Sequence, residues 1–197
     1  MLTFALAVFF LIITPGPGVL SLAGVGAAFR YRDGARYLVG LFIGTNLVCL
    51  GVISGLAAVM LADPRIRLVF YAASVAYLAW LAFRIAFAGA KVAFIERTEA
   101  PGVRGGILLQ AINPKAYAVN TALFSGFAFL PSAPWAEVAI KLVILNALWI
   151  AIHVFWLWLG VTIRRLDLPP RTQRAINIGM ALSMMAVVAL AAFAPKG

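Results

Sequence analysis

Lys115 is the residue in this sequence that most needs a chemical explanation. It follows Asn113 and Pro114 in "LLQAINPKAYAV" (108–119), near the middle of a long apolar stretch. A lysine at the centre of a membrane-spanning helix costs roughly 2.5–3.5 kcal/mol on insertion scales, so it normally faces a cavity or a partner. The six acids of the chain are Asp33, Asp63, Glu96, Glu99, Glu137 and Asp167, all near segment ends or in connections. Lys115 thus has no evident carboxylate partner within the chain, and a substrate carboxylate would fill that role. The plainer reading is a lysine solvated in a re-entrant dip or bonded to freed carbonyls.

A matching irregularity lies earlier, in "LIITPGPGVL" (11–20). Pro15 and Pro17 lack amide protons, so the carbonyls of Leu11 and Ile13 lose their helical partners. Gly16 and Gly18 let the chain turn and let other groups approach the backbone. In hydrocarbon an unsatisfied backbone group costs several kcal/mol, so such a break must face protein or a polar cavity. The expected result is two half-helices, the second starting near Pro17 with free amides at Gly18 to Leu20 and a partial positive charge. Taken alone this would read as a proline kink. Pro114 repeats it in the second half of the chain and frees the carbonyl of Gln110. Paired interruptions at matching positions of two inverted halves are the best sequence pointer to a transport site near the bilayer midplane.

The elements that must position these residues follow from composition. The chain is 64% hydrophobic and 11% charged, with a mean hydropathy of +1.04. Soluble domains run near half apolar and a quarter charged, so this is an integral membrane protein. Six apolar segments are expected, at 3–29, 37–61, 67–89, 105–130, 136–163 and 173–194, each long enough to span. They form one membrane domain over 1–197, divided into three-helix repeats at 1–90 and 104–197. An odd number of spans per repeat inverts the second repeat relative to the first. The first apolar run has no basic leader and continues past its break, so it reads as a retained helix rather than a cleaved signal. The Asp33-Gly34 pair in "RYRDGAR" (30–36) reads as a turn.

The formal charge of +10 invites a nucleic-acid reading. It is rejected, because the basic residues cluster in the connections. Arg30, Arg32, Arg36, Arg84, Lys91, Arg97, Arg104, Arg164, Arg165, Arg171 and Arg174 flank the first, third and fifth connections, whereas Arg65, Arg67, Lys141 and Lys196 lie on the opposite side. This bias places the first, third and fifth connections in the cytoplasm and both termini outside. Trp135 and Trp158 read as interfacial anchors. Cys49 is the only cysteine, which excludes a disulfide, a dithiol pair or a thiolate metal site within one chain.

Further candidates share faces with small residues. Gly40, Gly44, Gly51 and Gly55 form a stripe with Ala58 that lets two helices approach closely, within one chain or in a homodimer. Asn46 lies off the stripe, as a helix–helix hydrogen bond or as a site residue. Asn146, Trp149, His153, Trp156 and Gly160 share one arc of the fifth segment. His153, the only histidine, reads as a buried neutral ring or, with an unperturbed pKa near 6.5, as a proton carrier.

"TPGPG" (14–18), "GLFIGTN" (40–46), "AYLAWLAFRI" (76–85) and "INPKAY" (112–117), in this order and spacing, resemble the LysE/RhtB family of bacterial amino-acid exporters. The resemblance implies an all-α protein of six transmembrane helices in two inverted repeats, with helices 1 and 4 broken at Pro-Gly-Pro and Asn-Pro-Lys. It implies efflux of amino acids or related small metabolites driven by the proton motive force, with functional roles for Pro15, Gly16, Pro17, Asn113, Pro114 and Lys115. Gly18 stands where many relatives are expected to carry a polar residue, so no side-chain contact is expected there.

The combined expectation is a secondary exporter of a neutral amino acid in the bacterial inner membrane, with no cofactor and no metal. Substrate would bind at Thr14, Pro15, Gly16, Pro17, Gly18, Asn46, Asn113, Pro114, Lys115, Asn146 and Trp149, with His153 coupling protons. The lipid bilayer is the other partner. A channel or scaffold is the main alternative. A membrane enzyme would need acid clusters or a His-Asp constellation at depth, and a thiol-electron carrier would need a second cysteine.

Overall fold

The computed structural model describes residues 1–14, 16–55, 63–86 and 99–166, together with 168–172, 174–176, 178, 179 and 182. Pro15, Ala58, residues 87–98 and most of the expected sixth segment lie outside them. The described residues are helical, without a strand, in the order α1 (Leu2–Ile13), α2 (Pro17–Ala28), α3 (Tyr31–Ile53), α4 (Pro64–Ala86), α5 (Gly102–Ile112), α6 (Pro114–Gly126) and α7 (Pro134–Arg165). Among these, Tyr31–Ile53 and Pro134–Ile163 are each long and apolar enough to cross a membrane, and α1 and α2, bent by 51° at their break, together make a third.

The helix boundaries follow local chemistry. Pro17 and Pro114 each open a helix at its first turn, where a missing amide proton costs nothing. Asp33 and Gly34 do not form the expected turn. Helix α3 starts at Tyr31 and Asp33 lies in its first turn, where a carboxylate opposes the helix dipole. Gly34 has a packing role there, since a β-carbon on it would sit 2.4 Å from Leu157 Cδ1.

Two crossings hold the bundle together. Helix α3 packs along α5, and α7 packs along α2. In the first, β-carbons added at Gly40 and Gly106 would fall 2.1 Å from Val103 O and 2.5 Å from Tyr37 O, so the backbones touch. In the second, one at Gly160 would fall 2.2 Å from Ala23 O. Both pairs run parallel: Gly40 meets Val103 and Gly44 meets Ile107, while Gly18 meets His153 and Gly26 meets Val161. Each unbroken helix thus lies along half of the interrupted helix from the other part of the chain. The expected stripe divides: Gly40 and Gly44 are used within the chain, while Gly51 and Gly55 meet nothing within 4 Å among the described residues.

Two apolar layers result. One contains Leu22, Val25, Tyr37, Leu41, Leu81, Leu109, Trp149, Leu157 and Val161; the other contains Phe4, Val8, Cys49, Leu123 and Leu145. Beside the second layer, Lys141 and Glu137 form a buried ion pair at 2.8 Å. Glu137 Oε2 accepts from the amides of Phe129 and Leu130, and Lys141 donates to Phe124 O at 3.3 Å. The pair therefore ties the end of α6 and the segment after it onto α7. Lys141, counted among the basic residues flanking the membrane, is a packed residue.

Candidate functional site: the cavity between two interrupted helices

Between the two apolar layers lies a cavity of about 490 Å³, its open mouth included. Both interruptions border it. Gly16, the residue preceding α2, is extended, with φ −155° and ψ 177°. Lys115, in the first turn of α6, reaches across and donates from Nζ to Thr14 O at 2.7 Å. A β-carbon on Gly16 would sit 2.8 Å from Lys115 Cδ and 3.0 Å from Nζ, so the missing side chain makes the slot in which the lysine lies. The ammonium thus satisfies a main-chain carbonyl at one break while being carried by the other.

Asn113 explains why α5 and α6 separate. Its side-chain oxygen accepts from the Lys115 amide at 3.1 Å, capping α6, with Pro114 next in the chain. Its amide group donates to Gln110 Oε1 at 2.9 Å, and Gln110 Nε2 donates to Thr45 Oγ1 on α3. All three side chains are buried. A continuous polar chain therefore joins the second break to α3. Gln110 enters because Gly44 on α3 makes room, a β-carbon there falling 2.7 Å from Gln110 Cβ.

The carbonyl of Gln110, expected to be free, accepts from the Asn113 amide at 3.3 Å. The Leu20 amide, expected to be available at the start of α2, donates to Gly16 O at 3.0 Å. The main-chain groups offered to a ligand are accordingly fewer than the two prolines alone suggest. Thr14 Oγ1 is also committed, donating to Phe10 O at 2.6 Å.

His153, on α7, is 3% exposed and forms part of the wall. Its Nδ1 lies 2.8 Å from Trp149 O. A carbonyl can only accept, so in the neutral ring Nδ1 carries the proton and Nε2 keeps a lone pair. The Trp149 indole stacks on this ring at 3.5 Å between centroids and 13° between planes, fixing its orientation.

Thr14, Gly16, Gly18, Asn113, Lys115, Trp149 and His153 of the expected site all line this cavity. Pro17 is buried and Pro114 exposed, and neither borders it; Pro15 lies outside the described residues. Asn46 and Asn146 stand apart from the lining. Their side-chain amides exchange two hydrogen bonds, each 3.0 Å, across α3 and α7. Truncating either to Ala removes both bonds, with Asn46 Nδ2 in Asn146→Ala keeping a bond to Phe42 O at 3.0 Å, and the pair is expected to contribute roughly 0.6–2 kcal/mol. A double-mutant cycle on thermal unfolding of the detergent-solubilised protein should give single losses that sum to clearly more than the loss in the double variant. Additive losses would mean that the two amides act independently.

Gln110, Thr45 and Asn120 also line the cavity. Gln110 was visible as an uncharged polar residue three positions before Asn113, hence on the same helix face. Thr45 adjoins Asn46, and a step of one residue turns a helix by about 100°, so choosing between them required the partner helix. Asn120 accepts from Cys49 Sγ at 3.0 Å, which accounts for the lone cysteine as a buried donor.

An uncharacterized membrane protein of Pseudomonas aeruginosa is 27% identical over 168 residues, covering 78% of this chain and 77% of that protein. No solved structure matches the chain. The description of the LysE type translocator, a family of membrane transporters, matches residues 9–194, which include both interruptions and every residue of the cavity wall, and the chain belongs to that family.

Proposed function

We propose that this protein is a secondary exporter of neutral amino acids across the bacterial inner membrane, driven by the proton motive force. The observation that carries the reading is the Lys115 ammonium lying over the opposite helix break, at the wall of a cavity bordered by both breaks. Lys115 rests on Thr14 O. An arriving carboxylate is a stronger acceptor than a neutral carbonyl, since charge-assisted hydrogen bonds are roughly twice as strong. Substrate would draw Lys115 from Thr14 O and release the tie between the two broken helices.

The two parallel crossings support a pair of inverted three-helix repeats completing six spans, and the bias of basic residues toward the first, third and fifth connections supports periplasmic termini. Rocking of one repeat against the other would open the cavity through one apolar layer and then the other. With no acidic side chain among the described residues of the wall, a second cationic group on the substrate would meet there only Lys115 and dipoles. That favours neutral over basic amino acids.

The test is a metabolite screen of the medium from cells overexpressing the protein, followed by counterflow in proteoliposomes with whatever accumulates. Enrichment of one or a few neutral amino acids, abolished by a protonophore, is expected. Counterflow should saturate, which a channel would not do. An unchanged medium and no counterflow would reject the assignment.

A further inference from the structure

We propose that His153 Nε2 is the acceptor for the amino nitrogen of the substrate, reached through the space that Gly18 leaves open. The inference rests on the cavity being the substrate site, and it goes further by assigning the group opposite Lys115.

The other uncharged polar side chains among the described residues of the wall already hold hydrogen bonds within the protein. Gln110 donates to Thr45 and accepts from Asn113, and Asn113 in turn caps α6. Asn120 accepts from Cys49 and donates to Ala116 O at 2.7 Å. His153 differs. Its Nδ1 is held by Trp149 O and its plane by the Trp149 indole, so Nε2 has one direction in which to act.

Gly18 lies beside this nitrogen on the cavity wall. A β-carbon at position 18 would lie 3.7 Å from His153 Nε2 and 3.9 Å from either amide atom of Gln110. These are ordinary contact distances, so a methyl group would fit without moving anything and would cover the nitrogen. Glycine leaves that volume to a ligand. An imidazole nitrogen with a free lone pair accepts a hydrogen bond from an ammonium N–H, whereas a protonated ring would offer only a donor. The site then presents a donor cation, Lys115, for the carboxylate and a neutral acceptor for the ammonium. An α-amino acid supplies both groups, and its side chain would extend toward the apolar part of the wall at Leu11, Val19 and Leu145.

The chain holds a single histidine, so ring labelling with nitrogen-15 reports on one imidazole, in which the unprotonated Nε2 resonates well apart from the N–H-bearing Nδ1. The full-length protein in lipid nanodiscs would be titrated with a mixture of neutral L-amino acids. A second titration would use their N,N,N-trimethyl derivatives, which keep both charges and lose every N–H. Counterflow of the same radiolabelled amino acids would be measured in parallel for wild type and Gly18→Ala. The expected result is a shift of the Nε2 resonance with the amino acids and none with the trimethyl derivatives. Gly18→Ala should raise the half-saturation concentration about tenfold with the maximal rate retained, as loss of a contact made equally throughout the cycle would do. Normal saturable counterflow with an unmoved Nε2 resonance, or an equal shift by the trimethyl derivatives, would overturn the assignment and leave the cavity as the transport site. Absence of counterflow in wild type would overturn it together with the reading on which it rests.

Discussion

Replacing Lys115 by Ala is expected to lower export by about 10- to 100-fold in cells loaded with substrate. A hydrogen bond to a charged group contributes about 1.5–3 kcal/mol, and each 1.4 kcal/mol is a factor of ten. The loss comes from two effects of one side chain. The substrate carboxylate would lose its cation on the wall, because Lys115 is the only lysine or arginine among the described residues that line the cavity. The contact between Nζ and Thr14 O, which joins the two breaks, would also vanish. Lys115→Met separates charge from bulk, since it fills the Gly16 slot without an ammonium, and it should be nearly as inactive as Lys115→Ala. Gly16→Ala should act more mildly. Its β-carbon would meet the flexible end of the lysine, which can shift without displacing backbone. Export rates normalised to the amount of protein in the membrane decide the matter. Unchanged export by Lys115→Met would remove the ammonium from the mechanism.

The largest structural effect is expected from a single methyl group at either helix crossing. In Gly40→Ala the new β-carbon would lie 2.1 Å from Val103 O, and in Gly160→Ala it would lie 2.2 Å from Ala23 O. Neither obstacle is a movable side-chain end. The helices must separate, which costs at least the ~1–3 kcal/mol typical of an overpacked core. Separation of α3 from α5 would also pull Thr45 away from Gln110 and loosen the polar chain to Asn113. Stability and transport should therefore fall together in both variants. Gly51→Ala is the control. It adds a methyl group to the same helix where none of the described residues lies within 4 Å, and better helix propensity should make it neutral or more stable by up to ~1 kcal/mol. Thermal unfolding followed by size-exclusion profile would rank the three. Gly40→Ala as stable as Gly51→Ala would mean that the crossing is looser than described.

Much of this molecule can be read from residue types and spacing. The apolar content requires a membrane, prolines inside apolar runs require helix breaks, and a mid-segment lysine without an acid requires a polar surrounding. Each conclusion follows from the cost of leaving a charge or a backbone group unsatisfied in hydrocarbon, which is a property of the chain alone. Segment ends were less legible. Asp33-Gly34 has turn chemistry, yet the residues continue α3, because Asp33 suits the first turn of a helix and Leu157 requires Gly34 to be small.

What tertiary structure alone decided is which polar group meets which. Asn46 and Asn146 were as plausible on a cavity wall as Thr45 and Gln110, and only the relative rotation of α3 and α7 pairs the first two with each other. The carbonyl of Gln110 and the amide of Leu20 were free by the arithmetic of prolines, but nearby backbone groups turn to satisfy them. Lys115 and Thr14 stand 101 residues apart in the chain and 2.7 Å apart in space. A sequence states how many hydrogen-bonding groups must find partners. The choice among partners depends on helix rotations and close approaches that packing settles, one glycine contact at a time.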